Sequence, residues 1–157
     1  MKSIFSIILG ILCLNNTINA ILTEAQIQEK AERYMAFLHI IGQTEFITEE
    51  IASQYTSDAA SIFSSFCSQT INSRLKCSNT QEWLIRIIGI KQRLKTWQFS
   101  ECLYTINTEE QSASLEYTVL LDSIFPSYTV QKKIYFDEGN LIYKIESQSE
   151  LISNPTL

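Results

Sequence analysis

From Trp97 onward, apolar and polar residues alternate in short runs separated by turn residues. Trp97–Ile106 is rich in aromatic and β-branched side chains, and Asn107–Ser112 is a polar turn. In Ser114–Leu121, Leu115, Tyr117, Val119 and Leu121 share one parity, with Ser114, Glu116 and Thr118 between them. Tyr128–Phe136 repeats the pattern with Tyr128, Val130, Ile134 and Phe136. After Asp137-Glu138-Gly139-Asn140, the run Leu141–Ser147 continues it with Leu141, Tyr143 and Ile145. Period-two runs bounded by turns predict four antiparallel strands with one buried face. A meander of this kind exposes an apolar surface that another layer must cover.

The cover lies upstream. Leu22–Ile41 reads as a long helix, with Thr23 and Gln26 at the spacing of a capping box. Ile27, Ala31, Tyr34, Leu38 and Ile41 form its apolar stripe, and Gly42 is placed as the left-handed residue that ends it. Thr48–Tyr55 is predicted as a short second helix capped by Thr48, with Ile51, Ala52 and Tyr55 inward. Asp58–Phe66 reads as a short strand, and Cys67–Cys77 as a polar loop. Asn79 or Thr80 then caps a third helix, Gln81–Lys95. Its many apolar residues predict packing on two sides, with Gly89 permitting close approach to the sheet. Residues 151–157 are expected as a C-terminal tail, leaving one domain over residues 21–150.

The first twenty residues change the picture of where this domain works. Lys2 precedes an apolar run, Ile4–Leu14, and Ile18-Asn19-Ala20 has the form of a cleavage site. That is the pattern of a secretory signal peptide, and the run is shorter than the ~20 residues of a membrane-spanning helix. The expectation is an exported protein, periplasmic or secreted, with no membrane segment after cleavage near Ala20. The 157-residue chain carries a net charge of −5 with no block of like charges, so nucleic acid is not an expected partner. Cys67, Cys77 and Cys102 remain beyond the leader. In an oxidising compartment two of them are expected to pair, and Cys67 with Cys77 closes the shortest loop, the other pairings staying open.

The element order is long helix, short helix, strand, helix, four strands. That order, with the run Glu32-Arg33-Tyr34-Met35-Ala36-Phe37-Leu38, resembles the nuclear-transport-factor-2-like superfamily, also called SnoaL-like. Tyr55-Thr56-Ser57-Asp58-Ala59 resembles the approach to its first strand, and Trp83 to Leu94 its third helix. Tyr135 to Ile142 is similar to its final hairpin. The resemblance implies an α+β fold: three helices on a curved, mostly antiparallel sheet, forming a cone with an apolar cavity. It also implies a homodimer through the outer sheet face. In ketosteroid isomerases of this superfamily a tyrosine in an equivalent Arg-Tyr-x-x-x-Leu setting donates to a developing oxyanion, which would be Tyr34. The partner acids of that chemistry would fall near Phe63 and Lys132, and neither is a carboxylate.

Three residues are therefore weak catalytic candidates. Tyr34 lies on the apolar stripe, where a core ring is the simpler reading. His39, the sole histidine, falls on the helix flank. Glu101 shares the parity of Trp97 and Phe99, which would point it into the cavity, and Lys132 shares the parity of Val130 and Ile134. No phosphate loop, nucleophile elbow or clustered metal-ligand motif occurs, so no cofactor or metal is expected. Tyr34, Tyr55, Trp83, Phe99, Tyr117 and Lys132 are the residues expected to line a ligand pocket, with Tyr143 also inward. The leading expectation is a non-enzymatic domain binding a small apolar ligand or a protein partner through the cavity or the sheet face. The alternative is a small-molecule isomerase, cyclase or dehydratase using Tyr34 with Glu101 or His39.

Overall fold

The computed structural model describes residues 21–94, 97–121 and 127–152. The leader and the last five residues lie outside that range, so the expected signal peptide and most of the expected tail do too. The helices are α1 (Glu24–Gln43), α2 (Glu49–Ala59) and α3 (Thr80–Arg93). The strands are β1 (Phe63–Ile71), β2 (Arg74–Cys77), β3 (Trp97–Phe99), β4 (Leu103–Asn107), β5 (Ser112–Leu121), β6 (Tyr128–Phe136) and β7 (Ile142–Leu151). They form one sheet in the order β2-β1-β7-β6-β5-β3, with β4 also paired to β5. All described pairings are antiparallel except β1 with β7. The fold is α+β, three helices on a curved, mostly antiparallel sheet, as the pattern predicts.

Thr23 caps α1 through the reciprocal box with Gln26, and the stripe Ile27, Ala31, Tyr34, Leu38 and Ile41 is buried throughout. That stripe packs over Leu115 of β5, Ile134 of β6 and Ile145 of β7, which are all buried in the same core. Phe37, Tyr55, Phe63 and Trp83 stack at one end, with Phe63 and Trp83 ring centroids 4.6 Å apart.

Gly42 does not end α1. The helix continues to Gln43 with Thr44 as its C-cap, and none of the described glycines has positive φ. The reason for glycine is steric: a Cβ there would sit 1.7 Å from Trp97 Nε1. Trp97 lies across the end of α1 and donates from Nε1 to the Leu38 carbonyl at 3.4 Å.

The helix α2 runs on through Ala59, which delays the first strand to Phe63. The expected Cys67–Cys77 loop is instead a hairpin. Asn72 and Ser73 both take positive φ, 48° and 63°, the conformation of a tight two-residue turn that matches strand twist. Its alternation was masked because the outward residues of β1 include the exposed Phe66 while the inward ones include Gln69.

The expected Cys67–Cys77 disulfide is absent, and both residues are buried free thiols. Gln69, not Cys67, faces Cys77 across the hairpin. The two cysteines are therefore diagonal neighbours, and diagonal positions are ~7–8 Å apart at Cα, beyond ordinary disulfide reach. Burial pushes the Cys67 thiol up to about 12 and raises Cys77 as well.

Two bulges account for the remaining differences. The predicted strand Trp97–Ile106 breaks into β3 and β4, because Phe99 pairs with Val119 but Leu103 pairs with Glu116. Glu101 and Cys102 together occupy the space opposite Tyr117. Ser100 bridges the break, its amide donating to Thr118 O and its Oγ accepting from Thr118 N. One extra residue reverses the side-chain alternation. Leu103 is consequently exposed, while Tyr104 and Ile106 pack inward. A second irregularity near Phe136 gives Ile142 and Ile145 the inward positions and turns Tyr143 out, 41% exposed, against Tyr135. The strand β7 itself extends to Leu151, which pairs with Tyr128 where a tail was expected.

Helix α3 buries Trp83 and Leu84 and packs against both the sheet and α2, while Ile85 is left 65% exposed. Gly89 makes no close approach, since a Cβ there meets nothing within 4 Å. Gly89→Ala is therefore expected to stabilise the fold by about 0.5–1 kcal/mol, read from the denaturant midpoint, because helical glycine costs backbone entropy.

Candidate functional site

Between α3 and the inner sheet face lies a cavity of about 240 Å³. Ile87, Ile90 and Leu94 form its helical wall, and Trp83, Trp97, Phe99, Tyr117, Val119 and Val130 much of the rest. Exposed Arg86 stands on its lining beside solvent. The lining is mostly apolar, but Lys132, Ser147, Gln69 and Ser149 also face it. Among the described lining residues there is no Asp or Glu.

Strand register assembles the polar group. Lys132 on β6 lies opposite Leu115 on β5 and opposite Ser147 on β7, so the three share one row of the inner face. Leu115 is buried apolar packing, which leaves Lys132 and Ser147 as adjacent polar side chains. Lys132 Nζ donates to Tyr34 Oη at 2.7 Å. The same ammonium stands 5.1 Å from the Tyr34 ring centroid and 5.6 Å from that of Tyr117, within the range of cation–π attraction. Loss of hydration on burial holds the lysine down to about 8, although the neighbouring Cys102 thiol acts in the opposite sense. Burial raises both Tyr34 and Tyr117 above the usual phenol range, so both are neutral hydroxyls near pH 7. Ser147 Oγ is buried without a hydrogen-bond partner.

Of the residues expected to line a pocket, Trp83, Phe99, Tyr117 and Lys132 do so. Tyr34 is fully buried behind Lys132 rather than on the cavity wall. Tyr55 lies apart, edge-to-face with Phe37 and hydrogen-bonded to Thr44. The three weak catalytic candidates do not converge. Glu101 is exposed, because the bulge removes it from the inward parity that the sequence implied. His39 packs edge-on against Phe99, with ring centroids 4.8 Å apart. Gln69 and Ser147 were missed as site residues. Gln69 was hidden in the presumed loop, whereas Ser147 could have been found from its shared parity with Ile145.

The opposite sheet face is different in kind. A shallow concavity of about 810 Å³ there is lined mainly by polar residues such as Thr105, Glu116, Gln131, Lys133 and Gln148, and Lys132 and Ser147 reach its lining as well. Two outward lysines of the sheet are matched to carboxylates: Lys133 pairs with Glu110, and Lys144 with Glu146 at 2.8 Å. Among the described residues no three side chains of His, Cys, Asp or Glu gather as a metal-ligand set. No helix among them is long and apolar enough to cross a membrane.

No protein-family model matches the chain, and no curated protein matches it in sequence. Solved structures do match. A SnoaL-like family protein from Agrobacterium tumefaciens strain C58 superposes with a TM-score of 0.61 at 10% identity, over 80% of this chain and 98% of that one. The pinacolase BvnE from Penicillium brevicompactum gives 0.62 at 9% identity, over 80% and 86%. An NTF2-like protein of unknown function from Exiguobacterium sp. 255-15 gives 0.58 at 9%, over 77% and 98%. The likeness is one of architecture, and the chain has the fold of the nuclear-transport-factor-2-like, or SnoaL-like, superfamily.

Proposed function

We propose that this protein binds a compact, largely apolar small molecule in the cavity between α3 and the sheet, and that it does so as an exported protein. The cavity itself carries the reading: space of about 240 Å³ is walled by aromatic and branched residues, with the half-buried Lys132 on its lining. An apolar cavity of about 150 Å³ accommodates benzene, so the volume here suits a ligand of one ring or a short chain. The leader-like sequence from Lys2 to Ala20 supports the exported setting.

Trp83 and Trp97 both line the cavity and report on its occupancy. Titration with small apolar probes is expected to change their fluorescence saturably and to give one-to-one complexes in native mass spectrometry. Val130→Trp fills the space and is expected to abolish both signals without unfolding the chain. Absence of any complex with the natural sequence would contradict the reading.

One observation favours a second, catalytic reading, namely the Lys132–Tyr34 contact. Tyr34 holds Lys132 from behind, and the ammonium on the cavity lining can polarise a carbonyl. The fold accommodates catalysis, as the pinacolase illustrates. The described lining offers no carboxylate base, so with Lys132 as the ammonium this reading requires a basic group of the ligand itself to accept the proton. Turnover of small enolisable ketones that disappears in Lys132→Met would support it, and inertness towards them would not.

A further inference from the structure

We propose that the cavity ligand is a monocarboxylate with an apolar body, its carboxylate seated between Lys132 Nζ and Ser147 Oγ. The inference rests on the binding role proposed above and names the ligand's polar end.

Charge balance leads to it. Lys132 is the lysine of the inner face, and no ion pair among the described residues includes it. Its direct partner is a neutral phenol oxygen, which uses one of three ammonium donors. Lys132 is half-buried, and a partly desolvated cation gains from a counter-charge because a neutral acceptor offsets its lost hydration only in part. On the outer face of the same sheet, Lys133 and Lys144 both have carboxylate partners. Lys132 differs from them in lacking such a partner among the described residues.

The second, independent sign is the hydroxyl of Ser147. It is buried, has no hydrogen-bond partner, and lies directly across the β6–β7 ladder from Lys132. An orphaned buried hydroxyl costs about 1–3 kcal/mol, which a ligand oxygen would recover. One cation and one adjacent hydroxyl match the two oxygens of a carboxylate. The aromatic and branched walls then take a hydrocarbon body.

The protonation state of the site follows from its neighbours. The titratable or charged groups near Lys132 are Tyr34 on α1, Tyr117 on β5, Cys102 before β4, and Arg86 on the cavity lining of α3. Burial raises Tyr34, Tyr117 and Cys102, so none supplies an anion near neutral pH. Binding is then expected to weaken as alkaline pH removes the Lys132 proton.

The test compares ligands of equal bulk with the full chain. Hexanoate and phenylacetate are titrated against hexan-1-ol and 2-phenylethanol by calorimetry and tryptophan fluorescence at pH 7. The acids are expected to bind at least tenfold tighter than the alcohols. Lys132→Met should remove that preference while leaving the alcohols bound, and Ser147→Ala should reduce it several-fold. The natural sequence should also lose the preference as pH rises towards 10, which needs no variant. Equal affinity for acids and alcohols would overturn the carboxylate assignment while the cavity reading stands. A preference that survives in Lys132→Met would overturn it too, and would transfer the anion to Arg86. If neither class binds, both readings fail.

Discussion

Gly42→Ala is expected to destabilise the protein by about 2–4 kcal/mol, a larger loss than most single methyl additions cause. The added carbon would fall 1.7 Å from Trp97 Nε1 and 1.8 Å from Cδ1, so the indole must move. It has little room, being 5% exposed and packed near Phe99, and moving it breaks the donation to Leu38 O. The ordinary gain of alanine over glycine in a helix is about 1 kcal/mol and does not offset this. Because Trp97 also lines the cavity, the variant should lose ligand-probe binding together with stability. Chemical denaturation checks the loss, and a double-mutant cycle checks its cause. Gly42→Ala combined with Trp97→Leu should cost clearly less than the two single changes summed, since a smaller side chain relieves the clash. Strict additivity would contradict the packing described here. The contrast with Gly89 is instructive, since the same substitution there is expected to stabilise.

Lys132→Met is expected to change how stability depends on pH. The lysine is held at about 8 in the fold against 10.5 when exposed. Below pH 8 both folded and unfolded chains carry the proton, and the fold bears the full cost of the buried charge. Between these values the folded chain releases its proton while the unfolded chain retains it, so this group's contribution to stability rises with pH. Methionine removes the charge at every pH but leaves Tyr34 Oη without its donor, a lost hydrogen bond of about 1 kcal/mol. The stability of Lys132→Met relative to the natural sequence should therefore fall by about 2–3 kcal/mol between pH 7 and about pH 11. The buried phenols and thiols titrate in the opposite sense. Tyr34, Tyr117 and Cys67 keep their protons in the fold after the unfolded chain has lost them, which lowers stability at high pH. They are common to both proteins and cancel in the difference.

Much of this architecture was legible in the sequence. The capping box at Thr23, the stripe from Ile27 to Ile41 and the alternation of β5 and β6 all follow from local pattern. The strand pairing that sets Lys132 beside Ser147 follows less directly. What alternation could not reveal was its own interruption, because a bulge is a matter of counting residues across two strands. One extra residue near Glu101 turned an expected cavity carboxylate out to solvent, and another near Tyr143 did the same to an expected inward ring. Local pattern gives Gly42 a backbone role, because the residue it avoids, Trp97, lies far away in sequence. The hairpin at Asn72-Ser73 was hidden for a related reason, since those residues need positive φ without being glycine. Short-range patterns thus specified the elements, while the site depended on contacts between distant ones, such as Tyr34 with Lys132.

The proton on Lys132 can be observed directly. In protein labelled with ¹⁵N and ¹³C at lysine, the resonance absent from Lys132→Met identifies its ammonium group, which can then be followed from pH 6 to 12. A midpoint near 8, moving upward when hexanoate is added, is the expected result. A midpoint above 10 that does not respond to the acid would mean that the lysine is solvated and that the cavity has no buried cation.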